Sequence, residues 1–121
     1  MNIIKEIKNC LQENNKKENE ILWIGSRDGK LAMKWPKFKD KFGDISYDDG
    51  FGAAKIAQDL VVVFSDRSWL ERNEYDGAEE FEYKQAPNLV AMHDYDVIDC
   101  HSAGKIGWED LADLNDVSET N

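Results

Sequence analysis

His93, Cys100 and His101, with Asp94, Asp96 and Asp99 among them, form the one cluster in this sequence whose residue types suit a metal or a nucleophile. Zinc sites bring ligands in pairs spaced by about two to four residues, whereas Cys100 and His101 are adjacent and point to opposite sides of an extended chain. A Cys–His nucleophilic pair meets the same objection, although His93 could reach Cys100 across a turn. Asp44, Ser46 and Asp48 stand at i, i+2 and i+4 as in a calcium loop. The sixth position, however, is Asp49 where the sharp turn needs Gly, and the twelfth is Lys55 where a bidentate Glu belongs. Ala103-Gly104-Lys105-Ile106 approaches a phosphate loop, yet Asp99 occupies the place of its first glycine and no Ser or Thr follows the lysine. No spacing singles out two carboxylates for hydrolysis. These residues predict no metal, no cofactor and no catalysis, with a small metal-dependent hydrolase kept as an alternative.

A different chemistry is concentrated in residues 69–84. Two runs, Trp69 to Tyr75 and Ala78 to Lys84, flank Asp76-Gly77, a strong signal for a two-residue hairpin turn. That loop length sets Glu71 opposite Glu82, Glu74 opposite Glu79 and Trp69 opposite Lys84. Trp69, Glu71, Asn73, Glu80 and Glu82 then share one face, and Leu70, Arg72, Phe81 and Tyr83 the other. Like charges opposed on a sheet cost stability, so six acids with only Arg72 in their midst are locally frustrated. The chemistry this predicts is recognition: carboxylates of Glu71, Glu74, Asp76, Glu79, Glu80 and Glu82 docking on Lys or Arg of a partner, with Trp69 or Tyr75 as an aromatic anchor. The competing reading is a solvated outer strand face with its aromatics turned into the core.

Such a hairpin must be completed by a sheet and a cover. Ile3, Ile4, Ile7, Cys10 and Leu11 recur at helical spacing, which predicts an amphipathic helix over residues 2–14, stopped by the polar stretch Asn14 to Asn19. Glu20 to Gly25 and Lys30 to Trp35 read as strands around Asp28-Gly29. Pro36 can open a helical turn that puts Phe38 and Phe42 on one face, with Gly43 as its stop. Residues 44–52 read as a loop and Ala53 to Asp59 as a short helix. The continuously apolar Leu60 to Phe64 reads as a central strand covered on both faces. Leu89 to Cys100 offers another strand or two, and Trp108, Leu111 and Ala112 a final short helix. The expected fold is α+β: an antiparallel sheet of about five or six strands, with the N-terminal helix on one face and short additional helices. Residues 1–114 read as a single domain and 115–121 as a disordered acidic tail.

Charge is distributed unevenly over this frame. Residues 1–41 carry ten Lys or Arg against six Asp or Glu, while residues 42–121 carry five against nineteen, giving the net −10. Such acidity repels phosphate backbones, so direct nucleic-acid binding is not expected, and the favoured partner is a protein with a basic surface, such as a nucleic-acid-binding enzyme. Lys5, Glu6 and Lys8 interrupt the apolar residues of Met1 to Cys10, unlike a secretory signal, and Leu60 to Phe64 is far shorter than the roughly 20 residues that span a bilayer. A cytoplasmic protein is expected, monomeric or dimeric, away from membranes, with Cys10 and Cys100 reduced.

Asp59-Leu-Val-Val-Val, Trp69-Leu-Glu-Arg72, Glu74-Tyr-Asp-Gly77 and Phe81-Glu-Tyr-Lys84 together resemble a group of small proteins of phages and prophages of Gram-positive bacteria. The likeness covers about residues 45–85 and brings no assigned activity with it. It departs from the group's pattern at Ser68 and at Glu80-Phe81, where tryptophans are usual. The resemblance and the charge together imply a small acidic phage-type inhibitor of a host nucleic-acid-binding defence effector. Such a protein would be anti-CRISPR-like or another anti-defence antagonist acting in the host cytoplasm, with imitation of nucleic-acid charge as one mode of action. The alternative of the same class is an immunity or antitoxin protein that neutralises a nuclease toxin.

Overall fold

A computed structural model describes residues 1–47 and 55–115, and the chain forms two compact units, Met1–Pro87 and Asn88–Asn121. The first is the α+β fold expected from the hydrophobic pattern. Helix α1 (Ile3–Glu13) begins where Asn2 Oδ1 accepts the N–H groups of Ile4 and Lys5 at 2.9 and 3.1 Å, satisfying two donors that no helical carbonyl can reach. Its Ile3, Ile4, Ile7 and Leu11 are buried.

Five antiparallel strands lie in the order β2-β1-β3-β4-β5: β1 (Ile21–Ser26), β2 (Ala32–Met33), β3 (Leu60–Phe64), β4 (Trp69–Tyr75) and β5 (Ala78–Lys84). One face buries Ile24, Val62, Phe64, Leu70 and Phe81 against α1 and against Trp35 and Phe38 of α2 (Trp35–Phe42). A register shift at Leu22 lets Ile21 and Ile24 both face this core while Trp23 between them turns outward beside Val63. Asp76 and Gly77 both have positive φ, 53° and 85°, as a type I′ turn requires, and the β4–β5 register is the one the two-residue loop dictates.

Several expectations are corrected. Lys30 to Trp35 yields only the two residues of β2. Helix α2 claims Trp35, whose ring stacks on Phe38 with centroids 6.2 Å apart, and Phe38 N donates to Lys34 O at 3.0 Å. Of the helix expected at 53–59, residues 53 and 54 lie outside the described part, and Lys55 to Asp59 is not helical. The Glu79 carboxylate instead takes the N–H groups of Lys55 and Ile56 at 2.6 and 3.1 Å. β3 is central, but among the described residues of the first unit no helix covers its second face; Val61 is buried there by neighbouring side chains, outside the main core.

In the second unit no strand forms among the described residues of Leu89 to Cys100. Apolar content alone cannot make a strand without a neighbour to ladder with, and here Asn115 serves the backbone instead. Its Oδ1 accepts from Asp96 N and Val97 N, both at 3.0 Å, and its Nδ2 donates to Val97 O and Leu111 O at 2.9 and 2.8 Å. The final helix, α3, is limited to Leu111–Leu114 and leaves Trp108 outside, fully exposed. Residues 116–121 of the expected tail, and Asp48 and Asp49 of the calcium-loop comparison, lie outside the described residues.

Candidate functional site

The face of the sheet turned away from the helices carries Trp23 from β1, Val61 and Val63 from β3, Trp69 and Glu71 from β4, and Glu80 and Glu82 from β5. This follows from the pairings Trp23↔Val63, Val63↔Trp69, Val61↔Glu71 and Glu71↔Glu82. Trp23, Val63, Trp69 and Glu71 are half-buried, and with Val61 and Arg27 they line a depression of about 230 Å³. The Trp69 indole Nε1 donates to Glu71 Oε1 at 2.8 Å, which fixes the ring's orientation. The other oxygen of Glu71 lies 3.8 Å from Arg27 Nη2. Lys84 pairs with Glu82 at 3.2 Å, whereas Glu80 is exposed and has no ion pair among the described residues. The opposed glutamates are thus less frustrated than the hairpin alone suggests, because Arg27 arrives from the end of β1.

The eight residues singled out from the sequence separate into three groups. Trp69, Glu71, Glu80 and Glu82 share the open face. Tyr75 and Asp76 stand exposed at the hairpin tip, and Glu74 spends an oxygen on Gly77 N at 2.8 Å. Glu79 lies apart from both: it is buried on the opposite face beside Arg72, where it borders a separate depression with Ile56 and Asn73 and does not join the carboxylates of the open face.

There Arg72 organises a buried network through its two terminal nitrogens, while its Nε has no partner among the described residues. Its Nη1 donates to Glu6 Oε2 at 3.0 Å, and its Nη2 to Glu79 Oε1 at 2.8 Å and to Tyr47 Oη at 3.1 Å, while the Tyr47 hydroxyl donates to Glu6. The guanidinium also lies 4.5 Å from the centroid of the Phe81 ring. Burial alone would push the Glu79 carboxyl up, but the N–H groups of Lys55 and Ile56 and the Arg72 charge together hold it below the usual range. Burial and the Glu6 carboxylate push the Tyr47 hydroxyl well above its ordinary value. Through these bonds Arg72, Glu6, Tyr47 and Glu79 join α1, the hairpin and residues 55–56.

In the second unit, Cys100 Sγ accepts the N–H of Glu109 at 3.4 Å, and Asp99 accepts from His101 N and Ser102 Oγ. Among the described residues no three His, Cys, Asp or Glu gather as a metal set. His93 borders a separate depression with Leu89, Tyr95 and Leu111.

Sequence reasoning missed Trp23, Arg27, Val61 and Val63 as members of the open face, and Glu6 and Tyr47 as partners of Arg72. Alternation alone would set Trp23 on the face of Ile21, and the register shift at Leu22 that turns it outward leaves no signal in the sequence. Tyr47 carried none. No protein-family model, curated protein or solved structure matches the chain. No helix among the described residues is long and apolar enough to cross a membrane.

Proposed function

We propose that this protein acts by binding: its open sheet face docks on a basic, nucleic-acid-binding region of a host defence effector and blocks it, as a phage-type antagonist would. The observation that carries the reading is the pairing of two half-buried tryptophans around Val61 and Val63 with a carboxylate rim of Glu71, Glu80 and Glu82. Aromatic side chains at the centre of a patch supply most of the energy of association, and rim charges steer encounter. The excess of acids after residue 41 favours a cationic surface as the target.

The test is capture of host proteins on the immobilised chain, followed by competition and substitution. A captured partner should be released by double-stranded DNA. Replacing Glu71, Glu80 and Glu82 together by Gln should slow its salt-dependent association while leaving stability within about 0.5 kcal/mol, because the amide that replaces the Glu71 carboxylate keeps an acceptor oxygen for the Trp69 indole and the opposed like charges are removed. Replacing Glu109, Asp110 and Asp113 by their amides removes the same formal charge elsewhere and should leave capture unchanged. Equal losses from the two triples, or a partner indifferent to DNA, would sink the proposal.

A further inference from the structure

The two edges of the sheet are built differently. β2 has two residues, too few to template another strand, whereas β5 has seven, with no proline, no register shift against β4 and one lysine at its very end. The register states which of its backbone groups are free. Tyr75 and Ala78 close the two-residue turn as a hydrogen-bonded pair, so Asn73↔Glu80, Glu71↔Glu82 and Trp69↔Lys84 also exchange bonds. Glu79, Phe81 and Tyr83 therefore aim their N–H and C=O groups away from β4, and none of these groups has a backbone partner among the described residues. Side chains along this edge alternate in chemistry. Glu80 and Glu82 are exposed on the outer face, while Phe81 is buried and Tyr83 half-buried on the inner one.

We propose that the free edge of β5 takes up an extended segment of the partner as a sixth strand, one in which Lys or Arg alternates with apolar residues. Backbone bonds to Glu79, Phe81 and Tyr83 hold the segment; its basic residues meet Glu80 and Glu82, and its apolar residues continue the row of Phe81 and Tyr83. A second copy of this chain does not fit. Every antiparallel register that overlaps most of β5 with itself opposes glutamates across the new edge, which is destabilising. The inference rests on the reading that the partner is basic, but it engages the strand edge instead of the tryptophan face.

The test uses the whole chain, isotope-labelled, with an alternating Lys-Val hexapeptide as probe and amide exchange at Phe81 and Tyr83 as readout. In the free chain both amides should exchange rapidly. The probe should slow both, by about tenfold when present at about ten times its dissociation constant. A block peptide of the same composition, or the alternating peptide methylated at every second amide, should not. Slow exchange in the free chain, no slowing by the probe, or equal slowing by the block peptide overturns the proposal. Replacing Glu80→Lys together with Glu82→Lys, both exposed, should transfer the preference to an alternating Glu-Val peptide. Trp69→Ala should leave edge protection intact, so failure of the sheet-face reading and failure of this one give different results.

Discussion

Arg72→Met is the most informative single perturbation of this fold. It removes the guanidinium's bonds to Glu6, Glu79 and Tyr47 but leaves two carboxylates whose side chains are only 9% and 4% exposed, facing a space without a cation. Breaking a buried ion pair from one side costs about 3–5 kcal/mol, a large part of the roughly 5–15 kcal/mol that holds a domain together. With a urea slope of about 1–3 kcal/mol per molar, the unfolding midpoint should fall by about 2 M. The deficit should also depend on pH. In the native chain the folded pKa of Glu79 is depressed, so its contribution is complete above the ordinary value of 4.5 and is lost as the pH falls through the lower, folded value. Without Arg72 only the N–H groups of Lys55 and Ile56 oppose the effect of burial, so the carboxyl takes up its proton at a higher pH than in the native chain and the gap between the two narrows toward acid. Adding Glu6→Gln and Glu79→Gln to Arg72→Met should recover more than half of the loss, since each amide keeps an acceptor oxygen. A loss below about 1 kcal/mol, or one that does not shrink toward acid, would refute the view that a compensated buried charge governs this part of the molecule.

Gly25→Ala should detach β2. An added Cβ would stand 1.7 Å from the Leu31 carbonyl oxygen, so the substitution should cost about 2–3 kcal/mol and expose the Ser26 amide to exchange while β3, β4 and β5 stay protected. Cys10 should react slowly with thiol reagents, because burial first, and then Glu6, Glu13 and Glu80, push its thiol up to about 11. Compared with a thiol at the ordinary 9.0, this leaves roughly a hundredfold less thiolate at neutral pH, measurable against glutathione as a reference.

How far the sequence reveals this molecule depends on the range of the interaction involved. The hairpin was legible down to its register because Asp76 and Gly77 settle it locally, and α1 because Asn2 and the isoleucine spacing both act within a few residues. The fate of Glu79 was not legible. Six acids in a row look alike until Glu6, forty-one residues from Tyr47 and sixty-six from Arg72, is brought beside them. The same holds for Arg27, which reaches Glu71 only through the β1–β3 pairing, and for Lys55 and Ile56, whose N–H groups are taken from a helix by a carboxylate on β5. Leu89 to Cys100 shows the converse: local apolar content suggested strands, but a strand needs an edge to join.

The order of strands in the sheet also has a kinetic meaning. β3, β4 and β5 are neighbours in the chain as well as in space, joined by short turns, whereas β1 meets β3 only after the chain has closed over residues 27–59. Loop closure must be offset before such pairing is rewarded, which places the three-strand meander first and the arrival of β1 late. Until β1 arrives, the most apolar strand of the protein, Leu60–Phe64, is an open edge. Substitutions in β1 therefore act chiefly on the rate at which the folded chain opens, and the interval before β1 docks is when the nascent protein is most exposed to aggregation.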